Sequence, residues 1–399
     1  MNAATLTFAR SSARSRQLLL DPVLITALLG LLLFGLVMVT SASITIASSS
    51  AGDSFLFLKK QLLGVALGTL AAAAMCCIPT ALWQRLALPL LLASFAMLVI
   101  VLIPGVGHQV NGSRRWLPLG LINFQPSELA RVLLLMYLAS YIVRRQSELR
   151  NSAMGFAKPL AVLGCASVLL LAEPDMGAAT VMTVTGIGML FLAGVKLRHL
   201  LAMIGIAAVA VAVLVVASPY RLARMMNFWD PWKDAFGSGF QLTQSLIAIG
   251  RGEWIGVGLG ASVQKLFYLP EAHTDFVFAV LAEELGLIGV VGMLALVGVV
   301  VLRALRISRM AADAALPYQA FVAVSFGIWL ALQTVVNVGV NMGLLPTKGL
   351  ALPLLSYGPS CIVVTLGWLG LVLRVHHEAS LSGRTAVSRV SATAKERDV

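Results

Sequence analysis

Long apolar segments recur along the chain, and polar residues concentrate between them. A transmembrane helix needs about 20 mostly apolar residues. By this measure the pattern predicts an all-α polytopic membrane protein with about ten transmembrane helices in a single membrane domain, residues 20–375. The predicted spans are roughly 20–47, 56–77, 82–103, 126–144, 155–173, 176–195, 198–217, 275–302, 316–342 and 353–374.

The fifth and sixth spans come from one apolar stretch, residues 159–195. Its 37 residues would form a helix of about 55 Å, which is too long for one crossing. Glu173, Pro174 and Asp175 interrupt the stretch. Because proline ends or kinks a helix, these three residues predict a tight turn between two antiparallel helices.

The distribution of Lys and Arg predicts the orientation of the helices. If the N-terminus is cytoplasmic, the inner segments hold 18 of the 29 Lys and Arg residues, the outer segments hold ten, and Arg131 lies within a span. Short cytoplasmic loops carry the excess of positive charge in membrane proteins. We therefore predict a cytoplasmic tail at 1–19, a cytoplasmic, disordered tail at 376–399, and a large outer loop, residues 218–274, between helices 7 and 8.

The composition excludes several classes of protein. A mean hydropathy of +0.92 with 59% hydrophobic residues is incompatible with an ordinary soluble domain. The net charge of +12 is explained by basic inner segments, so we do not expect nucleic acid as a partner. The four cysteines lie in apolar segments without metal-ligand spacing or a disulfide framework. The sequence contains no P-loop and no Rossmann glycine pattern, so we do not expect this chain to use ATP.

The predicted outer loop 104–127 contains candidate substrate-binding side chains. Arg114 and Arg115 have the chemistry to hold phosphate, and the Trp116 ring can stack on a sugar. An Arg/Trp anchor at the membrane interface is an equally good interpretation.

Glu128 and Arg131 follow within the fourth predicted span. Their three-residue spacing puts both on one face of a helix, where they can pair. Ionisable groups at membrane depth are costly unless they are paired or solvated. We predict a structural ion pair that shapes a cavity, and a direct catalytic role is the alternative.

Asp275 is the predicted chemical centre of the chain. It stands at the start of the eighth span, within residues 264–286, which are unusually rich in ionisable side chains for this sequence. The alternative is a helix N-cap, although Thr274 could serve as the cap instead. A helix N-terminus would weaken Asp275 as a base, whereas desolvation would strengthen it. His273 is the second candidate in this stretch.

Two further outer segments could contribute to a site. In residues 218–274, Leu242, Leu246, Ile247 and Ile249 predict a short amphipathic helix on the membrane surface. This loop could equally be a passive cover. Lys348 lies in a Pro/Gly-rich loop and could neutralise a phosphate, or it could be an interfacial lysine.

Six motifs together resemble the SEDS family of bacterial membrane proteins (shape, elongation, division and sporulation), and the similarity covers about residues 20–375. The motifs are NGSRRW at 111–116, QPSELAR at 125–131, EPDMG at 173–177, FWDPWKDAFGSGFQLTQSLIAIGRG at 228–252, YLPEAHTDFVFAVLAEELG at 268–286 and GLLPTKGLALPLLSYG at 343–358. The chain looks more like the division branch than the elongation branch. It departs from the family pattern at Pro359 and Cys361, where Gly and Ser are common, and at Arg131, where Lys is frequent.

The resemblance implies a peptidoglycan glycosyltransferase that polymerises lipid II at the outer face of the bacterial inner membrane, at the division septum, with its active site facing the periplasm. It also implies a class B penicillin-binding protein as partner, with division regulators such as FtsQ, FtsL and FtsB. A lipid II flippase and a division scaffold are the alternatives.

The resemblance further implies that Asp275 is catalytic. In the mechanism we expect, it accepts the proton of an incoming sugar hydroxyl, as a general base in an inverting reaction. A divalent cation, Mg²⁺ or Mn²⁺, could assist the reaction, but the sequence shows no acidic cluster of the kind that binds metal. We therefore assign no cofactor and no metal ligand. The candidate substrate-binding residues are Arg114, Arg115, Trp116, Lys348, His273 and Ser356.

Overall fold

A computed structural model describes residues 18–110, 113–118, 120, 123–216, 228–237, 239–346 and 349–397. The described chain is mostly helical. Its α-helices are α1 (Pro22–Ala51), α2 (Leu56–Cys77), α3 (Thr80–Arg85), α4 (Ala87–Leu102), α5 (Pro126–Arg144), α6 (Gln146–Asn151), α7 (Ala153–Ala172), α8 (Met176–Leu192), α9 (Leu197–Val216), α10 (Phe240–Gly252), α11 (Val277–Asp313), α12 (Pro317–Asn341) and α13 (Pro359–Arg397). Three strands, β1 (His108–Val110), β2 (Ser113–Pro118) and β3 (Asn123–Phe124), lie between α4 and α5, and a 3₁₀ turn covers Pro231–Asp234.

The long apolar helices identify a multi-pass membrane protein. Among the described residues, seven helices are long and apolar enough to cross a bilayer: α1, α2, α5, α7, α11, α12 and α13. Shorter apolar helices, Ala87–Leu102, Met176–Leu192 and Leu197–Ile206, overlap the other three predicted spans. Each of the ten predicted segments therefore carries an apolar helix.

The all-α prediction is corrected between α4 and α5, where the chain forms a three-stranded antiparallel sheet in the order β1–β2–β3. His108 pairs with Trp116 and Leu117 with Phe124. The sequence places Asn111-Gly112 between β1 and β2, a dipeptide that is typical of tight hairpins. Hydropathy alone does not detect such short, polar strands.

Helix α13 continues into the segment predicted as the C-terminal tail, as far as Arg397. Its side chains pack against the bundle just beyond residue 376. His377 and Ala379 are buried, and the Glu378 carboxylate accepts a hydrogen bond from the Thr80 backbone N–H (3.0 Å). Polar composition concealed these contacts, which lie between residues far apart in the sequence.

Close helix packing depends on small residues. Gly64 of α2 lies against Pro359, and Gly370 of α13 lies against Ala72 so closely that a Cβ at Gly370 would stand 2.2 Å from the Ala72 carbonyl oxygen. Small residues allow such close approach between helices in membranes. The same effect lets the loop before α13 enter the bundle, since a Cβ at Gly35 would stand 2.2 Å from the Leu354 carbonyl oxygen.

Helix α11 is broken at Gly286, which has φ 62° and ψ −162°. The backbone of residues 253–258 lies in the break and replaces the missing helical hydrogen-bond partners. Because both sides of the break remain satisfied, an interrupted helix is tolerated at membrane depth. The four bonds run from Leu287 N to Glu253 O (2.9 Å), Ile288 N to Trp254 O (3.1 Å), Val257 N to Glu283 O (2.9 Å) and Gly258 N to Glu284 O (3.1 Å).

Two fully buried acids just before the break fix the same loop. Glu284 pairs with Lys265 (2.7 Å) and accepts a hydrogen bond from Ser41 of α1 (2.7 Å). Glu283 accepts a hydrogen bond from the Val263 backbone N–H (3.1 Å). These contacts join α1, α11 and the segment before Asp275 into one unit.

The predicted amphipathic helix within residues 218–274 corresponds to α10, which has Leu242 buried and Ile247 exposed. Ser245 of α10 donates a hydrogen bond to the Asn341 carbonyl oxygen at the end of α12 (2.8 Å). The helix therefore packs against the end of the bundle that carries Asp275.

Candidate functional site

Asp275 lies two residues before the first residue of α11 and is half-buried. The N-cap position of α11 belongs to Phe276, so Asp275 is not the cap residue. Thr274 does not cap the helix either, because its hydroxyl donates to Glu271 (2.7 Å to Oε2).

The polypeptide around Asp275 is held by side chains of α12. Asn337 Nδ2 donates to the Asp275 carbonyl oxygen (3.0 Å), and Asn341 Nδ2 donates to the same oxygen (3.2 Å). On the other side, the Asp275 carboxylate faces Gly349, where a Cβ would stand 2.9 Å from Oδ2. Lys348, the preceding residue in the sequence, lies outside the described residues.

His273 lies in an aromatic cluster next to Asp275. Its ring centroid is 4.6 Å from that of Phe57 and 5.6 Å from that of Tyr357. Its backbone carbonyl oxygen accepts a hydrogen bond from the Tyr357 N–H (2.9 Å). Burial lowers the pKa of His273, although nearby Glu271 acts in the opposite direction. These surroundings favour a neutral imidazole ring that packs against the loop. They do not favour a cationic ring that binds phosphate.

Arg115 contacts the turn between α7 and α8. Its Nε donates to the Glu173 carbonyl oxygen (2.9 Å), and Nη2 donates to the Pro174 carbonyl oxygen. A cation at the carbonyl end of a helix is favourable, because the last carbonyls have no helical partner. Arg115 therefore joins β2 to this turn and is not a freely projecting side chain.

Arg114 and Trp116 flank Arg115 on β2, and both are half-buried. The adjacent residues His108 and Gln109 of β1 pair with Trp116 and Arg114, so the pairing is shifted at Arg115 and the simple alternation of faces is interrupted there. Of the sequence-based candidates in this loop, Arg115 is the one whose hydrogen bonds support the turn.

The turn itself contributes two buried acids. Glu173 lies just beyond the last residue of α7, and burial raises its pKa to about 8, with the Asp175 carboxylate acting in the same direction and Arg115 opposing both. Within the described residues neither carboxylate oxygen of Glu173 has a hydrogen-bond partner. Asp175 instead caps α8 through the Ala178 N–H (3.0 Å) and accepts a hydrogen bond from Gln125 Nε2 (3.3 Å).

This turn and Asp275 are linked through one residue, Leu350. Gly177, at the start of α8, lies so close to Leu350 that a Cβ would stand 2.6 Å from Leu350 Cγ. The Leu350 carbonyl oxygen accepts a hydrogen bond from Asn337 Nδ2 (2.6 Å). The segments 173–177, 349–350 and 273–275 therefore meet at one end of the bundle.

Ser356 is buried within the loop that precedes α13. Its hydroxyl accepts a hydrogen bond from the Leu352 N–H (2.8 Å), and its carbonyl oxygen accepts one from Gln61 Nε2 (3.0 Å). Ser356 thus stabilises the loop internally and anchors it to α2.

Glu128 and Arg131 form a buried ion pair in α5, with 2.5 Å between Oε2 and Nη2. The Arg131 side chain is 1% exposed, and its guanidinium carbon lies 4.9 Å from the Trp329 ring centroid. This arrangement combines a charge-assisted hydrogen bond with a cation–π contact. Nearby, Cys361 is buried with its Sγ 3.9 Å from the Thr365 hydroxyl, and Pro359 begins α13, a position that proline tolerates.

In the part of the chain that the structure describes, no group of three or more His, Cys, Asp or Glu side chains is arranged to hold a metal ion.

Comparison with known proteins places these features in a family. The model of the FtsW, RodA and SpoVE family, described as "Cell cycle protein", matches residues 22–381. The chain belongs to the FtsW/RodA/SpoVE family. The SEDS resemblance is thereby confirmed.

Family members from several bacteria align over almost the whole chain. The Thioalkalivibrio sulfidiphilus protein named "Probable peptidoglycan glycosyltransferase FtsW" is 51% identical over 372 residues, covering 93% of each chain. Its Pseudomonas fluorescens counterpart of the same name is 50% identical over 361 residues, covering 90% of this chain and 88% of its own.

Solved structures of family relatives have the same fold. One, from a study of how a peptidoglycan synthase complex coordinates polymerization and crosslinking, has a TM-score of 0.75 at 33% identity and covers 91% of this chain and 99% of its own. The rod shape determining protein RodA of Thermus thermophilus has a TM-score of 0.66 at 32% identity, covering 90% and 97%.

Sequence analysis overlooked the amide side chains that support the site in this FtsW/RodA/SpoVE family member. Gln333, Asn337 and Asn341 recur every four residues in an otherwise apolar helix, which puts them on one face. That spacing was a detectable signal. Glu173 and Asp175 were recognised only as a turn, although they lie at the site.

Proposed function

We propose that the protein is a peptidoglycan glycosyltransferase that polymerises lipid II during cell division. One observation carries the proposal: a half-buried carboxylate, Asp275, stands just outside a helix with its backbone fixed by two buried amides. A catalytic base must be held in place near the proton that it removes. The names of relatives at about 50% identity support the same activity.

The reaction we propose is an inverting glycosyl transfer. The 4-hydroxyl oxygen of the incoming lipid II attacks the anomeric carbon of the growing strand. A new carbon–oxygen bond forms as the bond to the lipid pyrophosphate breaks, and Asp275 accepts the hydroxyl proton. The pyrophosphate leaves with the electron pair of the broken bond. Its charge needs a cationic partner, and Arg114 and Lys348 are the proposed side chains.

Arg115 has a supporting role in this proposal. Its guanidinium already donates to the carbonyls of Glu173 and Pro174, so its effect on the substrate is indirect. Through this turn it supports the segment that contacts Leu350. Trp116 remains a proposed sugar platform, and His273 and Ser356 are proposed to shape the loops around the substrate.

The proposal includes a location and partners. We infer ten membrane crossings in the bacterial inner membrane at the septum, both termini in the cytoplasm, and the loop 218–274 and Asp275 in the periplasm. A class B penicillin-binding protein is the proposed partner, supported by the likeness to a synthase complex that combines polymerization with crosslinking. FtsQ, FtsL and FtsB are proposed regulators.

Polymerisation of labelled lipid II by the purified complex tests the proposal. Asp275→Asn keeps the shape of the side chain but removes the basic carboxylate, so the rate should fall by about 10²–10⁴-fold. Glu271→Gln is the matched control, because this exposed carboxylate lies in the same segment. Folding and partner binding should be unchanged in both variants. Normal polymerisation by Asp275→Asn would remove Asp275 as the base.

The same preparation separates an enzyme from a transporter. If the wild-type complex makes no polymer but moves lipid II across liposomes, the flippase interpretation replaces the enzyme. If it does neither and only retains its partner, the scaffold interpretation replaces both.

A further inference from the structure

One face of α12 carries three buried carboxamides at four-residue spacing. Gln333, Asn337 and Asn341 are 1%, 2% and 0% exposed. Burying an amide is costly unless its hydrogen bonds are satisfied. The nitrogens of all three donate to backbone carbonyl oxygens of the loops that form the site.

Asn337 differs from its neighbours because it joins two separate loops. A carboxamide nitrogen carries two hydrogens. Asn337 Nδ2 donates to the Asp275 carbonyl oxygen (3.0 Å) and to the Leu350 carbonyl oxygen (2.6 Å). Asn341 reinforces the contact by donating to Asp275 O (3.2 Å) and to Asn337 O (2.9 Å). Gln333, by contrast, donates only to Ala351 O (2.9 Å) among these loop carbonyls.

The segment that carries Asp275 and the loop at 349–350 meet at the Asp275 carboxylate. Gly349 precedes Leu350 and faces the Asp275 carboxylate, with a Cβ position only 2.9 Å from Oδ2. A shift of either loop would change the distance between the Asp275 carboxylate and a substrate group bound beside Gly349. Displacements of about 1 Å can lower catalytic rates by about 10²-fold.

We propose that Asn337 is a positioning residue that sets the Asp275 carboxylate relative to the loop at 349–350. The inference rests on the proposed function, since it assigns Asn337 an effect on catalysis only through Asp275. The hydrogen bonds that Asn337 donates run to backbone carbonyl oxygens. It fixes the backbone from which the base projects and the backbone of the facing loop with the same amide group.

The test compares Asn337→Leu with Gln333→Met in the complex with its partner. Each variant replaces a buried amide by an apolar side chain of similar shape, and each orphans a loop carbonyl. Only Asn337→Leu also removes a hydrogen bond to the Asp275 carbonyl oxygen, which keeps the bond from Asn341. We expect thermal stability to fall in both variants, and at least as much in Asn337→Leu because it loses two hydrogen bonds to loop carbonyls where Gln333→Met loses one. We expect kcat to be about 10–100-fold lower for Asn337→Leu alone, with little change in KM for lipid II in either.

A double variant examines whether Asn337 acts through Asp275. Residues that act as one unit give non-additive losses. Asp275→Asn combined with Asn337→Leu should therefore be no less active than Asp275→Asn alone. A further loss in the double variant, or an equal fall in kcat for Gln333→Met at equal stability, would overturn the positioning role.

The proposal and the proposed function fail in different ways. Inactive Asp275→Asn beside fully active Asn337→Leu overturns the positioning role only. Fully active Asp275→Asn overturns the catalytic base, and the positioning role with it. If Asn337→Leu does not fold, Asn337→Ser provides the test, because its shorter side chain cannot bridge both carbonyls. A wild-type kcat for Asn337→Ser would overturn the proposal.

Discussion

The carboxylate of Asp275 faces Gly349 so closely that a Cβ at position 349 would stand 2.9 Å from Oδ2. Contacts this short force one of the two groups to move. A residue at the start of a helix and a residue in a loop 74 positions later are thus directly coupled.

Gly349→Ala should displace the Asp275 carboxylate and lower the polymerisation rate by about 10-fold or more, since catalytic geometry tolerates little displacement. Thermal stability should change little. Gly298→Ala is the control, because a Cβ at that helical position meets open space. Wild-type rates for Gly349→Ala would show that the carboxylate position is not critical.

The buried pair between Lys265 and Glu284 should be essential for stability. Its side chains are 4% and 0% exposed, and removing one partner of a buried pair typically costs about 3–5 kcal/mol. We expect Lys265→Met to lower the melting temperature clearly in detergent. Lys59→Met removes the exposed partner of Asp53 and should have little effect.

Removing both charges of the Lys265–Glu284 pair provides the complementary measurement of stability. The double variant Lys265→Met/Glu284→Leu should recover much of the lost stability, because no unpaired charge remains buried. Equal melting temperatures for wild type and Lys265→Met would contradict the assignment.

Glu173 should make stability depend on pH. Its pKa is raised from 4.5 to about 8, so the folded state retains a proton that the unfolded state has lost. The contribution of protonated Glu173 to the free energy of unfolding is therefore complete below about pH 4.5 and declines as the pH rises towards 8. Glu173→Gln should remove this decline and be more stable than wild type near pH 9, by an amount on the order of a few kcal/mol.

Thermal melting between pH 5 and 9 measures this effect as the difference between the wild type and Glu173→Gln. Glu271→Gln, which changes an exposed carboxylate, is the control. A difference that stays constant with pH would show that Glu173 is ionised in the folded protein throughout.

The Glu128–Arg131 pair can be compared with a pair of the same spacing on the surface. Glu128→Ala leaves Arg131 buried without its carboxylate and should lower stability by about 3–5 kcal/mol, with a matching loss of folded yield. Glu148→Ala breaks the exposed pair with Arg145 and should change stability little. Similar melting temperatures for both variants would contradict a stabilising role for the buried pair.

The proposed orientation is tested at Ala261, an exposed residue in the loop 218–274. A membrane-impermeant maleimide should label Ala261→Cys from the periplasmic side, with the wild type showing the background of the four native cysteines. Labelling only after the inner membrane is permeabilised would reverse the orientation.

The order of apolar helices and the turn at 173–175 were determined by the sequence alone. Hydropathy and helix length are properties of consecutive residues, so they can be evaluated along the chain without knowledge of contacts. The same holds for Asp275: a change from polar loop to apolar helix located the start of α11 within two residues of its position in the structure.

Only the tertiary structure determined which partner each polar side chain has. The sequence made Arg115 a candidate to hold phosphate or to anchor the chain at the membrane interface, whereas its contacts with the turn at 173–174 are seen only in the structure. The break at Gly286 looks like continuous apolar helix in the sequence, because the backbone that satisfies it comes from residues 253–258. Asn337 likewise depends on carbonyls 62 and 13 positions away. Such hydrogen bonds form only when segments that are far apart in the sequence pack together. The pattern of polar and apolar residues along the chain does not show which of these segments are close in space.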